Sequence, residues 1–286
     1  MAASLESLPH IQADLNYLIP TGAKPVSYAY APPSGAPWST VESETHPSEI
    51  YNLRPVASEF SLDSAGFQLA RHRSAVENFW DEDEILRVYY PESIALLKRI
   101  TGAAEVRIFD HTLRRRVAEV DNDRKADVPR QPATRVHVDQ TEQSGVSRLR
   151  LLYPDEADAL LDRRVAIVNL WRPIHVPAID FPLAVCDART VAREDLVASD
   201  LLFRERRGET YNVVYNPGHR WFYAPDMRPD EVLLLKCFDS RDDGSVARFA
   251  PHTAFANRTA PADAPPRESI ELRTYVIYDE PRTARH

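Results

Sequence analysis

The chain has 286 residues, of which 43% are hydrophobic and 27% charged, and its formal net charge is −8 at pH 7. This composition can build a core and is unlike that of a disordered protein. A net acidic surface repels phosphate groups, so neither nucleic acid nor an anionic membrane is expected as a partner. The basic runs Arg114–Arg116 and Arg204–Arg207 are interpreted as solvated or salt-bridged faces.

Glycine is scarce, at 8 residues, and the common nucleotide-binding, nucleophile-elbow, zinc-protease and C-x-x-C motifs do not occur. The two cysteines, Cys186 and Cys237, lie in apolar runs and are predicted to be buried free thiols. Met1–Asp14 lacks the pattern of a secretion signal, and no apolar run approaches the ~20 residues that span a bilayer. The expected setting is a reducing, soluble compartment, most simply the cytoplasm.

The first part of the chain, residues 1–60, is rich in Pro, Ser, Ala and Tyr. We predict an irregular arm that wraps the body, because such long aperiodic segments are usually functional or linker-like and the tyrosines favour docking. An arm of this kind could be exchanged between subunits to give a homodimer. The sequence leaves the oligomeric state open.

Residues 61–133 are predicted to give helical support. A first helix is expected to begin near Ser64–Gly66, within a helical region that extends to about residue 103. A second begins at Pro91, a residue suited to a first helical turn, and stops at Gly102. The apolar residues of 106–109 suggest a strand after this helix.

From residue 134 onward, short apolar runs are separated by turn formers such as Asn216–Gly218 and Asp242–Gly244. A helix is expected within 141–161. Many short strands with such punctuation favour a sandwich or barrel, so residues 134–286 are predicted to be the core of a single, mainly β domain (1–286) with flanking helices. The predicted strands are 134–140, 165–171, 182–186, 211–215, 219–223, 231–238 and 268–278.

An H-x-D motif opens this β-rich half. Residues i and i+2 of a strand point to the same face, so His137 and Asp139 can bind one metal ion while Val136 and Val138 pack behind them. Alone the motif is a weak signal, because the chain has 9 histidines. A further histidine downstream, His252, is the third candidate ligand, for which a loop histidine bound to a backbone carbonyl is the alternative.

Arg267 follows His252 by about 15 residues and opens a strand on which Ser269 shares its face. Two histidines and one carboxylate occupy one face of an octahedral Fe(II), which leaves two positions for 2-oxoglutarate and one for O2. The far carboxylate of 2-oxoglutarate needs a cation, and Arg offers a planar fork that Ser269 can supplement. Together these residues predict a non-haem Fe(II)- and 2-oxoglutarate-dependent oxygenase acting on a small molecule.

Two other classes stay open. A metal-dependent hydrolase or isomerase could use the same three ligands without 2-oxoglutarate, although Arg267 and Ser269 would then have no co-substrate to bind. A non-catalytic, cupin-like binding protein would keep the barrel without chemistry, which the presence of all three ligands disfavours.

Further residues are candidates for binding the substrate. Asn169 and Trp171 share one strand face and Arg172 lies on the other; a core tryptophan and a structural ion pair are the alternatives. Tyr215 belongs to an aromatic hairpin, for which core packing is the commoner role.

Three more polar residues belong to this part of the chain. Arg273 has the strand parity of Arg267, so it could anchor a substrate carboxylate or pair with Glu271. Lys236 interrupts an apolar strand and needs a partner, for which Asp239 or a glutamate could serve; binding of a ligand carboxylate is the alternative. His111 is interpreted as structural.

Eight longer stretches carry a family resemblance. They are Asp110–Arg115, Val136–Gln140, Asn169–Ile174, Pro182–Asp187, Tyr215–Trp221, Lys236–Ser240, Pro251–Phe255 and Pro266–Arg273. In these the chain resembles the fungal asaB-type hydroxylase/desaturase family, which also includes the gibberellin desaturase and proteins similar to the cephamycin methoxylation component. The resemblance covers most of the chain. It implies a double-stranded β-helix (jelly-roll, cupin-like) core and Fe(II)/2-oxoglutarate chemistry that hydroxylates, desaturates or cyclises small molecules of specialised metabolism.

Overall fold

The computed structural model describes residues 7–117 and 129–281. The expectations for Met1–Asp14 and for residues 61–133 therefore lie in part outside the described residues. Within them the fold is mainly β, as predicted, and the strands in chain order are β1 (His10–Leu18), β2 (Val26–Tyr28), β3 (Ser43–Asn52), β4 (Phe67–Arg71), β5 (Glu105–Arg115), β6 (His137–Val138), β7 (Arg163–Pro173), β8 (Leu183–Cys186), β9 (Leu196–Leu202), β10 (Arg207–Val213), β11 (Trp221–Tyr223), β12 (Glu231–Asp239), β13 (His252–Ala254) and β14 (Glu268–Pro281).

These strands form two sheets. A nine-stranded sheet has the order β1-β3-β11-β8-β13-β6-β10-β9-β2, and a five-stranded sheet has the order β4-β12-β7-β14-β5. Leu15 and Trp221 from the larger sheet share one apolar core with Ile167, Cys237 and Tyr275 from the smaller sheet. Burial of this apolar area is the main force that holds the two sheets face to face.

Helices cover the outer side of the smaller sheet and fill the connection before β7. They are α1 (Glu82–Glu84), a π-helical turn (Ile85–Tyr89), α2 (Tyr90–Thr101), α3 (Glu142–Leu152) and α4 (Ala157–Leu161), with 3-10 turns at Arg54–Glu59, Ala188–Thr190 and Arg193–Asp195. Leu96 and Leu97 of α2 pack on Val168 and Val276 of the sheet. The predicted stop at Gly102 is confirmed: its φ of 68° is left-handed, and its N–H bonds to the Lys98 carbonyl.

Helix α3 approaches the smaller sheet at a glycine. A Cβ atom on Gly145 would lie 2.6 Å from a ring carbon of Phe238. The Tyr275 hydroxyl donates to the Gly145 carbonyl at 2.8 Å, and Thr141 caps the helix start. Only a residue without a side chain permits this spacing, which brings the segment after β6 tightly onto the sheet.

The described residues 7–60 are not wholly irregular, because they contribute β1, β2 and β3 to the larger sheet. Strands β1 and β3 pair antiparallel from His10↔Tyr51 to Leu18↔Ser43, and β3 continues the sheet through a parallel pairing with β11. Pro47 is tolerated within β3 because it lies opposite Asp14, in the part of β3 that pairs only with β1 among the described strands.

Residues 67–71, expected to be helical, form strand β4, which pairs with β12. The helix begins later, where the Asp81 side chain accepts hydrogen bonds from the backbone N–H groups of Asp83 and Glu84. The expected helical support therefore also contributes β4 and β5, the two edge strands of the smaller sheet. Strands β2, β9 and β13 were not predicted.

The other predicted strands are confirmed in the β-rich half, although 134–140 reduces to the two residues of β6. The helix expected within 141–161 is present as α3 and α4. Cys186 and Cys237 are buried free thiols, as predicted. In the part of the chain that the structure describes, no helix has the length and apolar character needed to cross a membrane.

Candidate metal centre

Three of the predicted residues meet between the two sheets. His252 on β13 is directly opposite His137 on β6, and their ring centroids are 4.5 Å apart. Asp139 lies just beyond the end of β6, and its Oδ1 is 3.5 Å from His137 Nε2. The ligand atoms of all three residues lie within 4.8 Å of one another. Donor atoms at right angles around one first-row metal ion are about 3 Å apart, so this set needs little adjustment to bind an ion.

Both histidines present the same ring nitrogen to this point. Nδ1 of His137 is 2.7 Å from the Arg135 carbonyl, and Nδ1 of His252 is 3.0 Å from the Ala250 carbonyl. A carbonyl can only accept, so each Nδ1 carries the proton and each Nε2 keeps its lone pair. Neutral imidazoles fixed in this tautomer are ready metal ligands.

Asp139, the third candidate ligand, is held in place by hydrogen bonds to its Oδ2. Arg273 Nε donates to Asp139 Oδ2 at 2.8 Å, and Asn169 Nδ2 donates to the same oxygen at 2.9 Å. Glu271 joins these two donors, accepting from Asn169 at 3.1 Å and from Arg273 Nη2 at 2.7 Å. This ring of four side chains leaves Oδ1 of Asp139 directed at His137.

Charge at the centre suits a cation. Burial alone would raise the pKa of Asp139, but Arg273 and His137 outweigh it and hold the pKa of that carboxyl well below its usual range. Burial and the neighbouring His137 lower the pKa of His252 below that of an ordinary histidine. At neutral pH the pocket therefore offers an anionic carboxylate and a neutral His252 imidazole, the protonation states that a divalent metal ion requires.

Beside the centre lies a buried arginine for which the described residues provide no carboxylate partner. Arg267 is 2% exposed; its Nη1 donates to the Phe181 carbonyl at 2.8 Å, and its Nε has no partner among residues 7–117 and 129–281. Its guanidinium lies 5.4 Å from the centre of the Trp171 ring. Burial and the nearby Arg114 lower the pKa of Arg267 to about 9. Burying an unpaired charge of this kind is unfavourable in free energy unless a ligand carboxylate pairs with it. Ser269, which is also buried, lies on the same strand face.

Comparison with known proteins identifies the family. A family model described as "Oxidoreductase/YMDC permease-like domain" matches residues 15–277. The chain is 34% identical to the hydroxylase/desaturase efuI of Hormonema carpetanum, over 98% of this chain and 99% of that protein. It is 30% identical to the Fe(II)/2-oxoglutarate-dependent dioxygenase nvfI of Aspergillus novofumigatus, over 87% and 90% of the two chains. The chain belongs to this family of Fe(II)/2-oxoglutarate-dependent oxygenases.

A solved structure extends the likeness to the fold. The iron and alpha-ketoglutarate-dependent endoperoxidase NvfI superposes with a TM-score of 0.84 at 28% identity, over 94% of this chain and 98% of that one. The predicted jelly-roll core is thereby confirmed. So are the oxidoreductase class and the cofactors of the family, Fe(II), 2-oxoglutarate and O2.

Two of the residues proposed to bind substrate lie away from the oxygenase centre. Arg172 points to the other side of the smaller sheet, where it lies 2.6 Å from His72 Nδ1 and 5.1 Å from the centre of the Tyr89 ring. Tyr215 stacks on His46, with ring centroids 3.7 Å apart, near the outer strands β1 and β3. The strand parity of Arg172, opposite to that of Asn169 and Trp171, had already indicated this.

Other candidates are structural, as the sequence suggested. Lys236 pairs with Asp239 at 2.8 Å and with Asp63 at 2.5 Å, deep in the smaller sheet. His111 Nδ1 lies 2.9 Å from the Tyr90 hydroxyl of α2. Arg273 forms the ion pair with Glu271 that the sequence left as an alternative, and also holds Asp139.

Sequence reasoning missed the polar face of β5. Asp110, Thr112 and Arg114 alternate along this strand and lie opposite Arg273, Glu271 and Ser269. Interpreting Arg114 as part of a solvated basic run is wrong, because its side chain is partly buried and donates to the Gln131 carbonyl at 2.7 Å. The period-2 spacing of these polar residues was the available signal.

A separate cavity of about 490 Å³ opens beside the start of α3, lined by residues that include Glu142, Arg193 and Phe249. None of the three metal-binding candidates lines it. We assign it no part in the chemistry, because its walls carry no cluster of metal-binding side chains.

Proposed function

We propose that His137, Asp139 and His252 bind the Fe(II) of this oxygenase and that Arg267 and Ser269 bind 2-oxoglutarate. The observation that carries the proposal is the pairing of a compact His-Asp-His set with the buried guanidinium of Arg267, which has no carboxylate partner in the described part of the chain. The two histidines offer lone pairs on Nε2, and Asp139 offers one oxygen. Arg267 supplies a planar fork that suits a carboxylate.

Each residue has a defined part in the reaction. Bound iron, with 2-oxoglutarate and O2, supplies the oxidising power that removes hydrogen from an unactivated C–H bond. Arg267 and Ser269 orient the co-substrate by its far carboxylate, while Trp171 covers the guanidinium and excludes water. Arg273 and Asn169 keep Asp139 in place. Orientation of substrate against the metal then decides the product, since small displacements change the outcome greatly.

The substrate class is proposed from the relatives. Proteins named as hydroxylase/desaturases, as a dioxygenase and as an aspirochlorine biosynthesis protein are similar to this chain, and the solved structure is an endoperoxidase. We infer that this enzyme hydroxylates, desaturates or cyclises a small molecule of specialised metabolism. Asn169 and Arg273 act on Asp139 in this scheme, while Trp171 remains a candidate for substrate contact.

We also propose that residues 1–286 act as one catalytic domain, which is supported by the membership of strands from β1 to β14 in two sheets around one centre. A cytoplasmic location and a homodimer are kept as proposals from the sequence. Light scattering after size-exclusion chromatography would test the homodimer.

The decisive experiment uses purified protein under anaerobic conditions. Fe(II) and 2-oxoglutarate are added, and the visible metal-to-ligand charge-transfer band is recorded for the wild type, His137→Ala and Arg267→Gln. We expect a band in the wild type, none in His137→Ala, and a band in Arg267→Gln only at a much higher 2-oxoglutarate concentration. His10→Ala, which removes an exposed histidine, is the matched control. Iron binding without a band in the wild type would contradict the proposal and favour a metal hydrolase or isomerase.

A further inference from the structure

The inner face of β5 continues the polar surface around the metal centre. Residues directly opposite each other in antiparallel strands place their side chains on the same face. Asp110 and Thr112 of β5 both bind Arg273, at 3.2 Å and 2.9 Å from its Nη1, so this face looks toward the side chains that hold Asp139. Arg114 is the next residue on that face and lies opposite Ser269.

Arg114 differs from its two neighbours in the basic run. Arg115 pairs with Glu268, and Arg116 pairs with Asp180 at 2.9 Å. Arg114 binds the Gln131 carbonyl, and no carboxylate lies within ion-pair distance of it in residues 7–117 or 129–281. Burial and the positive charge of Arg273 lower its pKa, although Glu271 opposes this. The side chain is therefore a second cation held near the centre without an anion.

The ion pairs around the centre are unevenly shared. Arg273 engages Asp139, Glu271 and Asp110, and Asp180 pairs with Arg116. Arg267 and Arg114 have no ion-pair partner in residues 7–117 or 129–281, and Arg114 lies close enough to lower the pKa of Arg267 through its charge. One carboxylate on Arg267 leaves the partly buried Arg114 without such a partner, and a further anion would supply one.

We propose that Arg114 binds a second carboxylate beside the metal centre, next to the one bound by Arg267. The inference rests on the proposed function and deepens it. Two carboxylates have the required chemistry: the one beside the oxo group of 2-oxoglutarate, and one carried by the organic substrate. Arg115, on the same strand but exposed and paired with Glu268, provides a matched control.

The test measures binding rather than turnover. Mn(II)-loaded protein is titrated calorimetrically with 2-oxoglutarate and with 2-oxopentanoate, which keeps the oxo-acid end but has no far carboxylate. If Arg114 binds the oxo-acid end, Arg114→Gln weakens both ligands by about 10- to 100-fold. Arg267→Gln then weakens 2-oxoglutarate alone, and Arg115→Gln changes neither.

A second titration tests whether Arg114 binds a carboxylate carried by the organic substrate. Protein already saturated with Mn(II) and 2-oxoglutarate is titrated with benzoate, a simple carboxylate probe. If Arg114 binds a substrate carboxylate, wild type gives saturable binding, Arg114→Gln loses it, and 2-oxoglutarate affinity is unchanged. Arg114→Lys, which keeps the charge but not the fork, should retain part of either effect and serves if the glutamine variant fails to fold.

Wild-type behaviour of Arg114→Gln in both titrations would overturn the inference. The proposed function is judged separately by Arg267→Gln and His137→Ala. If those two variants lose 2-oxoglutarate or Mn(II) binding while Arg114→Gln loses nothing, only the role of Arg114 fails. If they too behave as wild type, the proposed function itself fails.

Discussion

Arg273 donates from Nε to Oδ2 of Asp139 at 2.8 Å, and this contact decides which carboxylate oxygen remains for a metal ion. Asn169 occupies the same oxygen, so both lone-pair directions of Oδ2 are used. Oδ1 alone stays on the side of His137. A ligand fixed from behind costs less conformational entropy when the metal binds, because its rotamer is already set.

Arg273→Met should therefore weaken metal binding. Removing the guanidinium frees Asp139 to rotate and leaves Glu271 buried without its cation. We expect the affinity for Mn(II) or Fe(II) to fall by about 10- to 100-fold, as is usual for residues that position metal ligands. Calorimetric titration of the metal-free protein measures this. Arg163→Met, which removes a surface ion pair with Asp279, is the control, and equal affinities in the two variants would contradict the role.

Metal removal should lower stability without unfolding the protein. The sheets share an apolar core of which His137, Asp139 and His252 are not members, so we expect the fold to form without an ion. A chelator should leave the far-ultraviolet circular dichroism spectrum unchanged. Added Mn(II) at 100 times its dissociation constant should stabilise the wild type by about 2.7 kcal/mol and raise the melting temperature. Asp139→Ala should lose that increase; an increase of the same size in the variant would place the metal elsewhere.

Gly145→Ala should destabilise the protein although alanine is the better helix former. The helical preference favours alanine by about 1 kcal/mol, whereas forcing a methyl group against the Phe238 ring costs about 1–3 kcal/mol. The net loss should appear in urea unfolding as a lower midpoint. Adding Phe238→Leu to the variant should recover part of the loss by making room. Two strictly additive effects would show that the close contact has no energetic importance.

Arg54→Met should remove a pH-dependent part of the stability. Arg54 Nη2 binds the 2% exposed Glu231 at 2.8 Å; burial alone would raise the pKa of Glu231, but Arg54 lowers it below that of a free glutamate. A depressed carboxyl pKa stabilises the fold above the unfolded pKa, and this stability is lost as the pH falls through the folded pKa. At pH 7 the variant should be about 1–3 kcal/mol less stable, since it leaves a buried charge unpaired.

The measurement for Arg54 is urea unfolding of both proteins between pH 7 and pH 3. Their difference should narrow as the pH falls from about 4.5, where an ordinary glutamate takes up a proton, through the lower folded pKa of Glu231. Arg87→Met, which removes an exposed arginine, should show no such narrowing. A difference that stays constant with pH would mean that the loss comes from packing rather than charge.

The clustering of His137, Asp139 and His252 could be predicted from sequence because the chemistry of this candidate donor set is visible there. His137 and Asp139 are close in sequence, and a distal histidine followed by Arg267 and Ser269 completes a set that has one well-known use. The apolar strands of the core could also be predicted from the sequence. Both inferences depend on local residue types and spacing.

The contacts around the candidate ligands depend instead on the register between strands that are distant in sequence. Arg114 joins the centre because it lies opposite Ser269, and Glu271 joins it through Asn169 and Arg273. No local sequence pattern predicts which residues of β5, β7 and β14 will lie opposite one another. The strands β1 and β3 were missed for a different reason. The alternation of Ala13, Leu15 and Tyr17 was present, but the proline-rich surroundings outweighed it.

Strand β14 follows every other described strand along the chain, yet it lies between β7 and β5 in the interior of the smaller sheet. During translation, all three candidate metal ligands are therefore synthesised before Glu271 and Arg273, the residues that hold Asp139 in position. Until then the edges of β7 and β5 that pair with β14 in the folded protein have no hydrogen-bonding partner. The nascent chain must keep these edges from pairing wrongly until β14 has emerged. A premature stop codon before Arg267 would yield a protein that keeps the proposed iron ligands and lacks the residues proposed to bind 2-oxoglutarate.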